Sequence, residues 1–84
     1  MFLLKGSALE IKKAFALVLK EIRLEKKLSQ EKLAEKCGFH TTIIGRLETS
    51  QREPKISTIF KIADSIEVPI DVFMKKIDEK RQQS

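Results

Sequence analysis

Apolar residues along most of this chain recur every three or four positions, which is the spacing of one face of an α-helix. The first such run follows Ser7 and Glu10, whose separation is that of a capping box at a helix start. We expect a first helix to begin there and to continue for about twenty residues, as far as Lys27. Its apolar positions are Ile11, Phe15, Val18, Leu19 and Ile22.

Two shorter helices are predicted next, with a tight turn between them. The hydroxyl of Ser29 is suited to cap a second helix, and Gly38 is suited to end it in the left-handed conformation. This second helix turns Leu33, Ala34 and Cys37 inward. A third helix is expected from about Thr41, with Ile44 and Leu47 as its buried stripe and with Thr41, Thr42, Ile43, Gly45 and Arg46 on its other faces.

The second half of the chain predicts a polar loop and two further helices. The loop covers 49–55, where apolar periodicity is absent and Pro54 disfavours helix. A fourth helix carries the apolar residues Ile56, Ile59, Phe60, Ile62, Ala63 and Ile66. Pro69 marks the break before a fifth helix that starts near Ile70, and the polar segment 78–84 is expected to fray. The pattern predicts an all-α fold of five helices.

Length and composition narrow the class of protein. A chain of 84 residues fits one domain, here spanning 1–84, and a net charge of +5 favours polyanionic partners. The single cysteine, Cys37, and the absence of clustered metal ligands indicate a reducing compartment and no metal or cofactor. No signal peptide or membrane-spanning run is visible, so the cytoplasm is expected. Cys37 and His40 lack the further groups that a nucleophilic enzyme needs, and an enzyme is therefore not expected.

Two short helices joined by a glycine-containing turn describe a helix-turn-helix, here at about 29–48. The stretches LSQEKLAEKCGFHTTIIGRLE, REPKISTIFKIADSI and VPIDVFM resemble the XRE, or Cro/CI-type, family of phage repressors and bacterial regulators over residues 15–74. The positions that match the family's spacing are Gln30, Ala34, Gly38, Ile44, Leu47, Glu48, Pro54 and Ala63. The resemblance implies a lambda-repressor-like, five-helix DNA-binding domain, here with an N-terminally extended first helix.

The resemblance also assigns roles on double-stranded DNA. The third helix would enter the major groove, and its base-edge readers map to Thr41, Thr42, Ile43 and Arg46. Contacts to phosphates map to Gln30, His40, Gln51, Arg52 and Lys55. Gln30 opens the second helix, where free amides and the helix dipole already favour an anion. Arg23 and Glu48 match a partly buried ion pair that joins the first helix to the third.

Some positions depart from the family pattern, among them the extra apolar residues Leu17 and Leu24. Lys27, Ser50 and Glu67 stand where glycine is frequent at helix ends, so local strain is expected there. His40 and Lys55 replace better capping residues at the starts of the third and fourth helices.

These observations favour a sequence-specific, autoregulatory transcription regulator that acts as a homodimer on a pseudo-palindromic operator. Candidate residues for the dimer interface lie along the fifth helix, with the first half of this stripe assigned to the core; they are Ile70, Phe73, Met74 and Ile77. Within the family, a restriction-modification controller protein is the preferred subtype, and a phage Cro-type repressor is similar in size. An antitoxin that binds its own promoter and a protein-interaction module with the same fold remain alternatives.

Overall fold

The computed structural model describes residues 10–83 and contains five helices. Their bounds are α1 (Ile11–Glu25), α2 (Gln30–Cys37), α3 (Thr41–Glu48), α4 (Ile56–Ser65) and α5 (Ile70–Gln82). No strand is present in this part of the chain. The predicted five-helix, all-α architecture is confirmed.

The starts of α1 and α2 show how far a capping motif can be trusted. Ser29 caps α2 as predicted, because its hydroxyl accepts a hydrogen bond from the Lys32 amide at 2.9 Å. Glu10, in contrast, has an extended backbone with φ −65° and ψ 151°, so α1 begins at Ile11 rather than within a capping box. Ser7 lies outside the described residues. Within them α1 has 15 residues and ends at Glu25, which makes it shorter than the pattern predicted.

Each of the first four helices is followed by a residue in the left-handed backbone conformation. Gly38 has φ +72°, and the corresponding positions Lys27, Ser50 and Glu67 have φ values of 60°, 62° and 59°. In each case the next amide closes a long bond back into the helix, as the Phe39 amide does to the Ala34 carbonyl at 2.9 Å. Only glycine adopts this conformation without a steric penalty, so the predicted strain at the other three positions is present.

The core is formed by apolar side chains from all five helices. Helix α1 lies at its centre and packs against α3 and α5, whereas α2 packs against α3 and α4. The rings of Phe15 and Phe73 meet edge to face with centroids 5.9 Å apart, which joins α1 to α5. Side chains that are fully buried include Phe15, Leu19, Leu33, Ile44, Leu47, Ile62 and Phe73.

Some of the apolar positions that recur at helical spacing lie at the surface. Ile11 is 57% exposed, Ile56 63% and Phe60 47%. Helical periodicity identifies an apolar stripe, but the stripe on α4 is wider than the surface that its neighbours cover. The excess apolar area therefore faces outward.

The polar end of the chain is helical as far as Gln82, so the prediction that it frays from residue 78 is wrong. Lys80 on α5 donates to Glu21 on α1 at 2.7 Å, and Arg81 donates to Asp78 at 2.6 Å. Ile77 is only 5% exposed and anchors the same segment in the core. None of the helices within residues 10–83 has the length and apolarity needed to cross a membrane.

Candidate nucleic-acid interface

Helix α3 presents two chemically different faces. Ile44 and Leu47 are fully buried, whereas Thr41, Thr42 and Arg46 are exposed. The buried pair fixes the helix against the core, so the position of the exposed side chains is set by the fold and not by contacts among themselves. The exposed hydroxyl and guanidinium groups are those that recognise base edges in a major groove.

Ile43 and Gly45 complete this surface. Ile43, which the resemblance placed among the base readers, is half-buried and packs against the core. Its remaining exposed atoms offer only apolar contact, for instance to a thymine methyl group. Gly45 lies on the exposed side of α3 but is itself partly covered.

The turn between α2 and α3 holds the two helices in a fixed relation. Gly38 adopts the left-handed conformation, and the half-buried Phe39 after it packs against the core. His40 then precedes α3 with an extended backbone and an exposed side chain that makes no capping bond. The first amides of α3 thus have no side-chain acceptor from His40, and Lys55 likewise leaves α4 uncapped.

The ion pair between Arg23 and Glu48 is present and nearly buried. Arg23 Nε donates to Glu48 Oε2 at 2.6 Å, and Arg23 Nη2 donates to Glu48 Oε1 at 3.1 Å. The two side chains are only 9% and 2% exposed. Arg23 Nη1 also donates to the carbonyl of Leu28, at 2.7 Å, in the turn after α1. The guanidinium is therefore hydrogen-bonded to this turn as well as to Glu48. This pair joins α1 to the end of α3.

Gln30 belongs to the same cluster, which the sequence did not predict. Its Nε2 atom donates to Glu48 Oε1 at 3.0 Å, so the first residue of α2 is bound to the last residue of α3. The two residues are 18 positions apart. No spacing rule connects them, and only the packing angle between α2 and α3 brings them together.

The loop after α3 carries the remaining residues predicted to meet phosphates. Gln51, Arg52 and Lys55 are all exposed. Neither Arg52 nor Lys55 is in an ion pair with another residue of the described range. Their charges are thus available to an anion that approaches beside α3.

Cys37 and His40 do not form a nucleophilic site. Cys37 is 1% exposed, and burial raises the pKa of its thiol, so the reactive thiolate is disfavoured. His40 is exposed on the turn. Among residues 10–83 no group of three or more His, Cys, Asp or Glu side chains is placed to hold a metal ion.

The residues predicted as a dimer interface on α5 divide between core and surface. Phe73 and Ile77 are buried within the protomer at 0% and 5% exposure; Phe73 belongs to the half of the stripe expected in the core, whereas Ile77, at the far end, leaves little surface for a partner. Ile70 is half-buried, and Met74 is 38% exposed. Sequence periodicity could not separate Met74 from Ile77 in the second half, because both belong to one helical stripe.

Two short helices, α2 and α3, that pack on the core through their inner faces and present the polar face of α3 beside a cationic loop form a helix-turn-helix DNA-binding domain. Residues 19–73 match the family HTH_3, described as helix-turn-helix. The chain belongs to this family of DNA-binding transcriptional regulators of the XRE type, which are not enzymes.

Relatives share this domain over different fractions of their own length. The chain is 31% identical to the control protein C.SmaI of Serratia marcescens over 75 residues, which are 89% of each chain. It is also 32% identical to the transcriptional regulator SutR of Escherichia coli over 56 residues, or 67% of this chain. The matched region spans only 32% of SutR and 49% of the similar Bacillus subtilis regulator YqaE.

Solved structures show the same similarity in three dimensions. The restriction-modification controller protein C.Esp1396I, solved as a tetramer with its natural 35 base-pair operator, superposes with a TM-score of 0.81 at 30% identity. The match covers 87% of this chain and 96% of that one. An HTH_3 family regulator from Vibrio cholerae matches with a TM-score of 0.73, over 77% of this chain and 36% of its own.

Proposed function

We propose that this protein is a homodimeric, autoregulatory DNA-binding protein of the restriction-modification controller type. The observation that carries the proposal is the exposed face of α3, which combines Thr41, Thr42 and Arg46 on a helix fixed by two fully buried residues. The similarity to two controller proteins supports the subtype, because it extends over nearly the whole of each.

On DNA, α3 lies in the major groove, and Arg46 is the principal reader. A guanidinium can donate to both O6 and N7 of guanine, whereas Thr41 and Thr42 can donate, accept or contact a thymine methyl. The loop cations Arg52 and Lys55 grip the sugar-phosphate backbone and contribute affinity without base preference.

Dimer formation is supported by apolar surface on α4 and α5. Ile56, Phe60, Val72 and Met74 are 63%, 47%, 40% and 38% exposed, and large apolar side chains left exposed on neighbouring helices offer area that a second protomer can cover. One recognition helix reads too few base pairs for operator selectivity. A symmetric dimer doubles the site and requires half-sites whose centres are about 34 Å apart.

The test is selection of binding sites from random-sequence DNA by the purified chain, followed by gel-shift titration at several salt concentrations. We expect a pseudo-palindrome to be enriched and affinity to fall steeply with salt, because phosphate contacts release counterions. Sedimentation with and without the selected DNA measures the oligomeric state. A failure to enrich any sequence, or a strict monomer on DNA, would refute the proposal.

The controller subtype is tested with the promoter DNA upstream of the protein's own gene. Binding there, together with neighbouring genes for an endonuclease and a methyltransferase, is the expected result. A selected operator that is absent from this promoter would refute autoregulation while leaving operator binding intact.

A further inference from the structure

The orientation of the Gln30 carboxamide can be assigned from its partner. A carboxylate only accepts hydrogen bonds, so the atom that lies 3.0 Å from Glu48 Oε1 must be the amide nitrogen. The carboxamide oxygen therefore points away from Glu48. Glu48 itself is held by two bonds from Arg23 and is 2% exposed in its side chain, which fixes the acceptor to which Gln30 is bound.

The Gln30 oxygen lies beside the exposed face of α3. A Cβ atom on Gly45 would be 3.7 Å from Gln30 Oε1, so this oxygen lies next to the bare backbone of Gly45. At about 100° per residue, Gly45 is about 60° around the helix from Thr42 and about 100° from Arg46. The oxygen is thus brought to the surface that carries the proposed base readers.

The same oxygen is free to accept a hydrogen bond. Within residues 10–83, no group donates to Gln30 Oε1, and no side-chain oxygen or nitrogen is both buried and without a partner. Gln30 is half-buried as a residue, and its unpartnered oxygen is not sealed from solvent. Because residue 45 is glycine, no side chain at that position covers it.

We propose that Gln30 recognises a base through Oε1 and that Glu48 is the residue that positions it. This inference rests on the proposed operator binding. A phosphate has no hydrogen to donate at neutral pH and cannot bond to this oxygen, whereas the exocyclic amino groups of adenine and cytosine in the major groove can. Gln30 thereby favours adenine or cytosine at one position of each half-site, in addition to the readers on α3 itself.

The test removes the Gln30 carboxamide and the exocyclic amino group of the base, separately and together. Gln30→Met eliminates the carboxamide at similar length, and selected operators are made with purine in place of adenine, or pyrimidin-2-one in place of cytosine, at single positions. We expect one such base per half-site to cost the wild type about 2- to 10-fold in affinity, the range of a single hydrogen bond. Gln30→Met should lose less than twofold from the same change.

Matched controls separate reading from positioning and from phosphate binding. Gln51→Met makes the same substitution on the exposed loop and should weaken all operators alike while keeping the amino-group effect. The double variant Arg23→Met with Glu48→Leu removes both charges of the buried pair, so none is left unpaired and the fold is expected to persist. It retains Gln30 but should lose the amino-group effect as Gln30→Met does, which a purely structural role of Glu48 would not produce.

The outcomes distinguish this inference from the proposed function. If Gln30→Met weakens every operator equally, Gln30 is a phosphate contact, and the inference is wrong while operator binding stands. An undiminished amino-group effect in the double variant would refute the positioning role of Glu48. If the wild type enriches no DNA sequence, the proposed function and this inference both fail.

Discussion

Loss of the Glu48 carboxylate should destabilise this protein more than any surface substitution. In Glu48→Ala, Arg23 keeps its bond to the Leu28 carbonyl but loses both bonds to Glu48. The guanidinium is then charged, nearly buried and unpaired, a situation that costs about 3–5 kcal/mol. The free energy of unfolding of a domain of this size is about 4–13 kcal/mol, so about a fifth of the stability or more should disappear.

Urea denaturation followed by far-ultraviolet circular dichroism measures this loss at a fixed protein concentration. With about 4–8 °C per kcal/mol for small domains, the midpoint of thermal unfolding should fall by at least about 12 °C. Arg23→Met combined with Glu48→Leu should recover most of the loss, because no charge remains unpaired in the core.

A surface ion pair provides the matched control. Lys80 and Glu21 are 2.7 Å apart but are 22% and 53% exposed in their side chains, so Glu21→Ala should cost at most about 1 kcal/mol. If Glu48→Ala costs no more than Glu21→Ala, the Arg23 charge is better solvated than its burial implies, and the reasoning above is refuted.

Three further outcomes are expected. Arg46→Ala should relax base preference at one base pair per half-site and cost about 1–3 kcal/mol of binding free energy. Arg52→Ala should instead weaken binding to all operators alike and reduce the dependence of affinity on salt, which competition gel-shift assays measure. The opposite assignment of effects would contradict the roles of Arg46 as base reader and Arg52 as phosphate contact. Lys27→Gly and Glu67→Gly should each raise the free energy of unfolding by about 0.5–1 kcal/mol, since glycine tolerates their positive φ; an unchanged denaturation midpoint would argue against strain. Burial raises the pKa of Cys37, so this thiol ionises at lower pH in the unfolded chain than in the folded protein. The free energy of unfolding should therefore decline as pH rises above the ordinary pKa of a thiol, and Cys37→Ala should reduce that decline. Rapid thiol labelling of the native protein would contradict the burial of Cys37.

The sequence predicts best where one residue determines a local conformation. Ser29 and Gly38 mark the start and end of α2 because a hydroxyl acceptor and a missing Cβ act within a single turn. The capping pattern at Ser7 and Glu10 is equally good locally, yet α1 begins at Ile11. A local motif only makes a helix start favourable, and other starts of similar energy compete with it.

Tertiary contacts explain the features that the pattern could not predict. The end of α5 is held by Ile77 in the core and by Lys80 against Glu21, a pair 59 residues apart. The bond between Gln30 and Glu48 likewise depends on how α2 lies against α3. The family resemblance placed both residues of the Arg23–Glu48 pair, but it assigned Gln30 to a phosphate contact and did not connect it with this pair.

The separation of the two faces of α3 also bears on how such a protein changes over generations. Ile44 and Leu47, which anchor the helix, are fully buried, while Thr41 and Thr42 face outward. Substitutions on the outward face leave the anchors untouched and cost little stability. A lineage can therefore exchange one operator for another without first acquiring a more stable scaffold. Outward residues taken from a relative could, for the same reason, be transplanted onto this chain as a set.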